Sequence, residues 1–237
     1  MDSENLSGML FSEVKSGTSA SQGCMYSILY HHVDDRKRKQ ILGLRTEDLV
    51  KAIVESSNGD KMDSYQGAQL LALIHGFTKL DMSSVEGIEA TLLAAIRKPP
   101  YEAYLILFAM NILDNSLEAI EAAFDATVKQ PDSSNLAFAN LVFKKLAELG
   151  PDQLEGLVPK LQTHPIYLDL KKGNLSTKNA EIVFELIAAF GEHAKLLKDD
   201  FSKKFDLWGI EDRFYLKARA AAYGEQDPFA EQNPFEK

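Results

Sequence analysis

The chain has 237 residues, 45% apolar and 26% charged, a balance that fills one ordinary to large domain or two small ones. Its formal charge of −9 argues against a nucleic-acid binder, whose affinity draws on an excess of cations, although a local basic groove can coexist with acidic outer faces. The single cysteine, Cys24, excludes an intramolecular disulfide and suits a reducing compartment; with no His or Asp at an activating spacing it reads as an incidental thiol.

At the N-terminus, Met1-Asp2-Ser3-Glu4 lacks the positive region and apolar run of a secretory signal. Residues 1–23 are expected to form a flexible arm, most mobile over Ser16–Gly23, with a short docking helix over Leu6–Val14. From 24 to 223 the sequence reads as one all-helical domain. Runs of alternating β-branched residues are missing, and apolar residues recur at helical spacing instead. Leu70, Leu71, Ile74 and Phe77 share one face; Leu136, Ala139, Val142, Phe143, Leu146 and Leu149 share another. Thr46 is expected to cap a helix opening on Glu47-Asp48, Ser83 or Ser84 one toward Ile96, and Asn115 or Ser116 one toward Val128. Pro99-Pro100, Pro131, Gly150-Pro151 and Lys172-Gly173 separate segments. These signals predict an all-α fold of about eleven helices. The longest apolar stretch, Tyr104–Met110 with Ile112 and Leu113 beyond, is about half of what a membrane helix needs. A cytoplasmic protein is expected. From Gly224 onward no helical pattern survives, and residues 224–237 are expected to be a flexible tail.

An internal repeat runs through the middle. Ser84-Val85-Glu86-Gly87-Ile88-Glu89-Ala90 is echoed by Ser116-Leu117-Glu118-Ala119-Ile120-Glu121-Ala122, an offset of 116 − 84 = 32, and more faintly by Gln153-Leu154-Glu155-Gly156-Leu157. An apolar helix precedes each copy, so the unit is helix, turn, helix. Such hairpins stack as a solenoid, or pack as an irregular multi-helix bundle. The stretch Leu141–Leu161, "LVFKKLAELGPDQLEGLVPKL", resembles HEAT or armadillo repeats, over about residues 64–162, although that family's usual Asp and Arg between paired helices are not evident.

The tail repeats a phrase: Glu225-Gln226-Asp227-Pro228-Phe229-Ala230, then Glu231-Gln232-Asn233-Pro234-Phe235-Glu236. An Asx side chain that bonds backbone beyond it, followed by a proline with fixed φ, favours a tight turn that pushes phenylalanine outward. Asn233-Pro234-Phe235 resembles the ligand of EH domains, and Asp227-Pro228-Phe229 the peptides read by clathrin-adaptor appendages. The resemblance implies Phe229 and Phe235 as anchors, with Asp227 and Asn233 shaping the turns. Two copies would raise the effective concentration for a multivalent partner. The competing reading packs both phenylalanines onto the chain's own helices or onto a neighbouring subunit.

Four consecutive cations, Arg36-Lys37-Arg38-Lys39, and the pairs Arg97-Lys98 and Lys144-Lys145 are candidate phosphate or RNA contacts, with Tyr101 and Tyr104 near one pair as base stacking requires. The plainer reading is solvated helix ends, where cations suit the dipole. The histidines lack ligand spacing, so no metal is expected and no cofactor is implied. No phosphate loop and no Gly-x-Ser-x-Gly occurs. The expected function is a non-catalytic scaffold or adaptor for protein partners, with a peptide-motif tail. The alternative is a self-assembling viral structural protein, of nucleocapsid or matrix type, that oligomerises through terminal arms, with copies of itself as partners and RNA in a basic cleft.

Overall fold

A computed structural model describes residues 2–16, 18–129, 135–202 and 212–229. The fold is all-α: among the described residues there are fifteen α-helices, one 3-10 helix and no strand. The helices gather into two compact units, residues 1–123 and 124–237, where the sequence reading placed one domain over 24–223. No described helix is long and apolar enough to cross a membrane.

Unit 1 holds α1 (Ser3–Ser16), α2 (Ser19–His31), α3 (Asp35–Gly43), α4 (Thr46–Asn58), α5 (Ser64–Thr78), α6 (Ile88–Ile96), α7 (Ala103–Ile112) and the start of α8 (Leu117–Lys129). Helix α5 is the central element: α2, α3, α4, α6 and α7 all pack against it. The face expected from periodicity is the buried one, with Leu70, Leu71 and Ile74 essentially out of solvent and Phe77 half-buried. Each such side chain contributes roughly 1.5–3 kcal/mol of transfer free energy. Helices α4 and α5 meet at Gly67, where a Cβ would stand 2.2 Å from Ser57 Oγ, so a side chain there would require Ser57 to turn aside or the pair to shift.

The flexible arm expected over 1–23 is corrected: its residues carry α1 and the start of α2. Leu10 and Val14 of α1 lie in the core against α3 and α4. The carbonyl of Val14 accepts from Ser56 Oγ at 2.8 Å and from Gln22 Nε2 at 3.4 Å, and Gln22 Nε2 also reaches the Glu13 carbonyl at 3.2 Å. Both contacts close the otherwise orphaned end of α1. The expected caps also shift. Thr46 is the first residue of α4, with Arg45 at the cap position, and its hydroxyl donates back to the Leu42 carbonyl at 2.8 Å. Helix α6 begins at Ile88 behind Gly87, while Ser83 serves the turn held by Asp81. Ser116 does accept from the Ala119 amide, at 3.4 Å.

Unit 2 holds the rest of α8 and α9 (Asn135–Ala147), α10 (Pro151–Leu154), α11 (Leu157–Gln162), α12 (Pro165–Lys171), α13 (Thr177–Ala189), a 3-10 helix (Gly191–Leu197), α14 (Lys198–Phe201) and α15 (Asp212–Tyr223). Helix α13 packs against both α9 and α15. Ala218, Ala220 and Ala222 of α15 are buried. Short side chains of this kind bring helix axes close.

Among the described residues of this unit, two polar side chains, His164 and Thr127, are buried in the core. His164, 1% exposed, caps α12 ahead of Pro165. Its Nδ1 accepts the Ile166 amide at 3.1 Å, which puts the proton of the neutral ring on Nε2. Nε2 then donates to Thr127 Oγ1 at 2.9 Å, and the Thr127 hydroxyl donates on to the Phe124 carbonyl at 2.6 Å. Phe124 and Phe143 stack on each other, and each meets the imidazole edge-on at 5.3 Å. Burial holds this histidine down to about 4, from an ordinary 6.5.

A lowered folded value means that the unfolded chain takes up this proton first as pH falls. The histidine's stabilisation is complete above pH 6.5 and is lost on acidification toward pH 4, by at most about 3 kcal/mol. His164→Asn keeps a side-chain acceptor for the Ile166 amide but cannot titrate. Urea unfolding between pH 7 and pH 4 is expected to show a steeper loss in the wild-type chain than in His164→Asn; parallel curves would remove the histidine from the acid sensitivity.

Candidate functional site

The candidate site starts at the end of α15. Gly224 lies at φ +70°, in the left-handed region. The Glu225 amide donates to the Ala220 carbonyl at 2.8 Å and the Gly224 amide to Ala221 at 3.1 Å, the paired pattern of a Schellman closure. It is the left-handed conformation that calls for glycine, since the nearest atoms to a Cβ there belong to the flexible end of the Lys195 side chain. This closure turns the chain back along α15. Glu225 meets Arg219 at 3.5 Å, and Asp227 Oδ2 meets Lys217 Nζ at 3.3 Å. Exposed pairs like these contribute about 1 kcal/mol or less each, so they direct the tail more than they stabilise the unit.

The turn read from the sequence forms at the first phrase. Asp227 Oδ1 accepts the Phe229 amide at 2.9 Å, and Phe229 is half-buried. Thus Asp227-Pro228-Phe229 carries the Asx geometry while its carboxylate is also held by the chain's own helix. Asn233, Pro234 and Phe235 lie outside the described residues.

Asp227 borders a groove of about 690 Å³ formed by α9, α13 and α15. Ala147, Ala188, Ala189 and Phe214 give it an apolar lining. Lys144, Arg213 and Lys217 stand with Glu148 and Glu185 around it. Glu148 is engaged by Lys145 at 3.1 Å, and the Arg213 guanidinium lies 4.7 Å from the Phe214 ring centroid. Sequence reasoning named Lys144 and Lys145 but missed Arg213, Phe214 and Lys217. Their only signal was an apolar-and-cationic α15 just ahead of a tail rich in acids.

The run Arg36-Lys37-Arg38-Lys39 is not one basic patch. Arg36 and Lys39 are exposed on α3 and Lys37 is half-buried, but Arg38 is turned inward, 8% exposed. Its Nε donates to the Leu29 carbonyl at 2.6 Å, and Nη2 to Tyr30 and Val33 carbonyls at 2.7 and 2.6 Å. Nη1 pairs with Asp35 at 2.7 Å, and the plane lies 4.9 Å from the Phe77 ring centroid. Arg38 therefore closes the C-terminal end of α2 and is corrected from candidate phosphate contact to structural cap. Asp34 caps α3 through the Lys37 amide at 2.9 Å. Arg97 and Lys98 are exposed at the end of α6, and Lys144 and Lys145 fall in the last turn of α9. Both pairs sit where a helix dipole favours cations.

A tyrosine network in unit 1 was not foreseen. Tyr65 donates to Glu102 Oε1 at 2.6 Å, while Gln69 Nε2 donates to the Tyr65 hydroxyl at 2.9 Å and to Tyr104 at 3.3 Å. Burial first, then the Glu102 carboxylate, pushes the Tyr65 phenol above its usual range. Burial likewise raises Tyr104 and Tyr26. All three are neutral hydroxyls at physiological pH, able both to donate and to accept, which suits a fastening of α2, α5 and α7. His75 bonds the Leu80 carbonyl through Nδ1 at 3.1 Å and packs on Phe108. Among the described residues no three His, Cys, Asp or Glu side chains gather as metal ligands, and Cys24 is an exposed free thiol.

No protein-family model, no curated protein and no solved structure matches this chain.

Removing the Arg38 fork leaves three carbonyls without their donor. Arg38→Met is expected to lower unfolding stability by about 2–4 kcal/mol in urea titrations. Lysine, a point charge without the fork, should recover only part. Arg36→Met and Lys39→Met should stay within about 0.5 kcal/mol. Equal losses at all three positions would contradict the inward placement.

Proposed function

We propose that this chain is a non-catalytic, all-helical interaction scaffold or adaptor whose C-terminal tail recruits protein partners through Phe229 and Phe235. The observation that carries the reading is the bond from the Phe229 amide to Asp227 Oδ1 at 2.9 Å. A turn fixed in advance spares an anchoring aromatic part of its ordering cost on entering a partner's pocket. The repeated phrase around Asn233-Pro234-Phe235 gives a second anchor of the same design. Behind the tail, each unit would offer helix faces to further partners, whether as stacked hairpins of the HEAT or armadillo kind or as a bundle. The five-neighbour packing of α5 favours the bundle for unit 1. Arg213 and Phe214 are the side chains of α15 best placed to extend such a contact beyond the tail.

The seat of Asp227 on Lys217 favours a second reading, since an arm that docks on a body of this sequence can also dock on a neighbouring copy. In that reading the chain is a self-assembling structural protein of nucleocapsid or matrix type. The exposed cations Arg36, Lys39, Arg97 and Lys98 would then face RNA.

Calorimetric titration of the full chain with a purified EH domain and with a clathrin-adaptor appendage domain separates the two. The adaptor reading expects micromolar binding to at least one of them. Affinity should fall tenfold or more, about 1.4 kcal/mol, in Phe235→Ala for the EH domain or in Phe229→Ala for the appendage. It also expects a monomer in light scattering of the same sample. No binding by either domain, to the chain or to a peptide of residues 224–237, sinks it; a large assembly with nucleic-acid absorbance establishes the second reading instead.

A further inference from the structure

We infer that Asn58 is a modification site: it loses its side-chain amide by spontaneous deamidation through the Gly59 nitrogen, and the product loosens α6 from the end of α4. Asn58-Gly59 is the one Asn-Gly step in the sequence. Glycine has no side chain to keep its backbone nitrogen away from the preceding carboxamide, so the two groups meet most readily at this step. In the reaction the Gly59 nitrogen gives up its proton to solvent and attacks Cγ of Asn58. A five-membered succinimide forms and ammonia leaves. Water then opens the ring at either carbonyl, leaving aspartate or isoaspartate at position 58. The balance is one water taken up and one ammonia released, with no redox change and no co-reactant but solvent.

The fold holds the reacting groups apart. Asn58 is exposed and is the last residue of α4. Its Nδ2 donates to the carbonyl of Gly87, at the head of α6, at 3.0 Å. Its Oδ1 accepts from Thr91 Oγ1, one turn into α6, at 3.1 Å. A carbonyl can only accept, which fixes the orientation of the carboxamide. The Gly59 amide donates to the Glu55 carbonyl at 3.0 Å and so closes α4. Ring closure needs these three bonds to open together. Helix ends open locally at far lower cost than the core, so the reaction is slowed in the folded chain but not stopped.

The product cannot restore the joint. A carboxylate has no proton for the Gly87 carbonyl, so two acceptors would face each other where the bond had been. The new charge also enters acidic ground: Glu47, Glu55, Asp81 and Glu86 border the cleft beside Asn58, against Lys51 alone. Isoaspartate adds a main-chain methylene between positions 58 and 59, which moves the Gly59 amide off the Glu55 carbonyl. Helix α6 packs on both α4 and α5, so the change reaches the packing around the central helix. Every residue concerned belongs to unit 1.

Peptide mapping over time tests the site. The full chain and a free peptide of residues 52–61 are held in mildly alkaline buffer at physiological temperature. Trypsin releases the same peptide from the chain, between Lys51 and Lys61, and chromatography separates its aspartate and isoaspartate forms. The expected result is deamidation at position 58 about tenfold to a hundredfold slower in the chain than in the peptide, as local opening of a helix end sets it. Thr91→Val removes the hydroxyl at nearly constant volume and should speed the reaction about threefold or more, with helical circular dichroism unchanged. The deamidated chain, isolated by its added negative charge, and Asn58→Asp should both melt about 2–4 °C below the wild type. A rate within about threefold of the peptide's overturns the inference, as does an unreacted chain after about a hundred peptide half-lives. A wild-type rate in Thr91→Val overturns it too, and so do products that melt with the wild type, since either result would leave the joint holding nothing.

Discussion

The far end of α15 has to be closed, and the manner of closing decides where the tail goes. Helix-terminal carbonyls need donors. Here they come from the amides of Gly224 and Glu225, which is possible only because Gly224 accepts a left-handed conformation next to Lys195. That geometry sends the chain back over the helix it has just left. The tail's acids then meet the cations of α15, and the groove of α9, α13 and α15 becomes the nearest surface for the residues beyond Asp227. A chain leaving α15 in any other direction would carry the same motifs away from this surface.

The same constraint shapes both units. With helices as short as four residues, helix ends are frequent and many face inward. Each needs a polar partner in a place where water does not reach. Arg38 closes α2, Gln22 and Ser56 close α1, and His164 opens α12. These side chains fix the relative placement of elements more firmly than apolar contact alone, because an unmet carbonyl or amide in the core is costly while a slightly shifted leucine is not. A frame closed in this way can hold the surfaces around α15 in a constant arrangement.

Much of the fold was legible. Helical periodicity gave the class and most of the buried faces of α5 and α9, though it left out the buried Leu73 and Phe138 and included Phe77, Leu136 and Leu149, which are half-buried. Fifteen α-helices stand among the described residues where the signals suggested about eleven, because α10, α11 and α14 are shorter than two turns and carry too few residues to show a period. The N-terminal segment misled for a different reason: a run of Ser, Gly and Thr reads as loop, yet Thr18 caps α2 and Gln22 of α2 bonds the Val14 carbonyl at the end of α1. The likeness of the three internal copies is one of sequence, since the first leads into α6 through Gly87, the second opens α8 and the third spans the turn from α10 to α11. At the site, the Asx turn could be read directly from local chemistry. Lys217 could not be singled out, because its meeting with Asp227 depends on the direction set at Gly224. Nor could Arg38 be told from its charged neighbours, since which of four adjacent cations turns inward is decided by α2, a separate element.

The account rests on the tail continuing the ordered structure of α15 past Gly224. Backbone relaxation of the full chain, read at the amides of Glu225 and Phe229, measures this directly. The predicted order parameters are close to those of α15 itself, near 0.85, and fall in both residues when Lys217 is replaced by Glu. Values below about 0.6 immediately after Gly224 in the wild-type chain would contradict it, because a tail that moves freely there has neither its turn nor its seat.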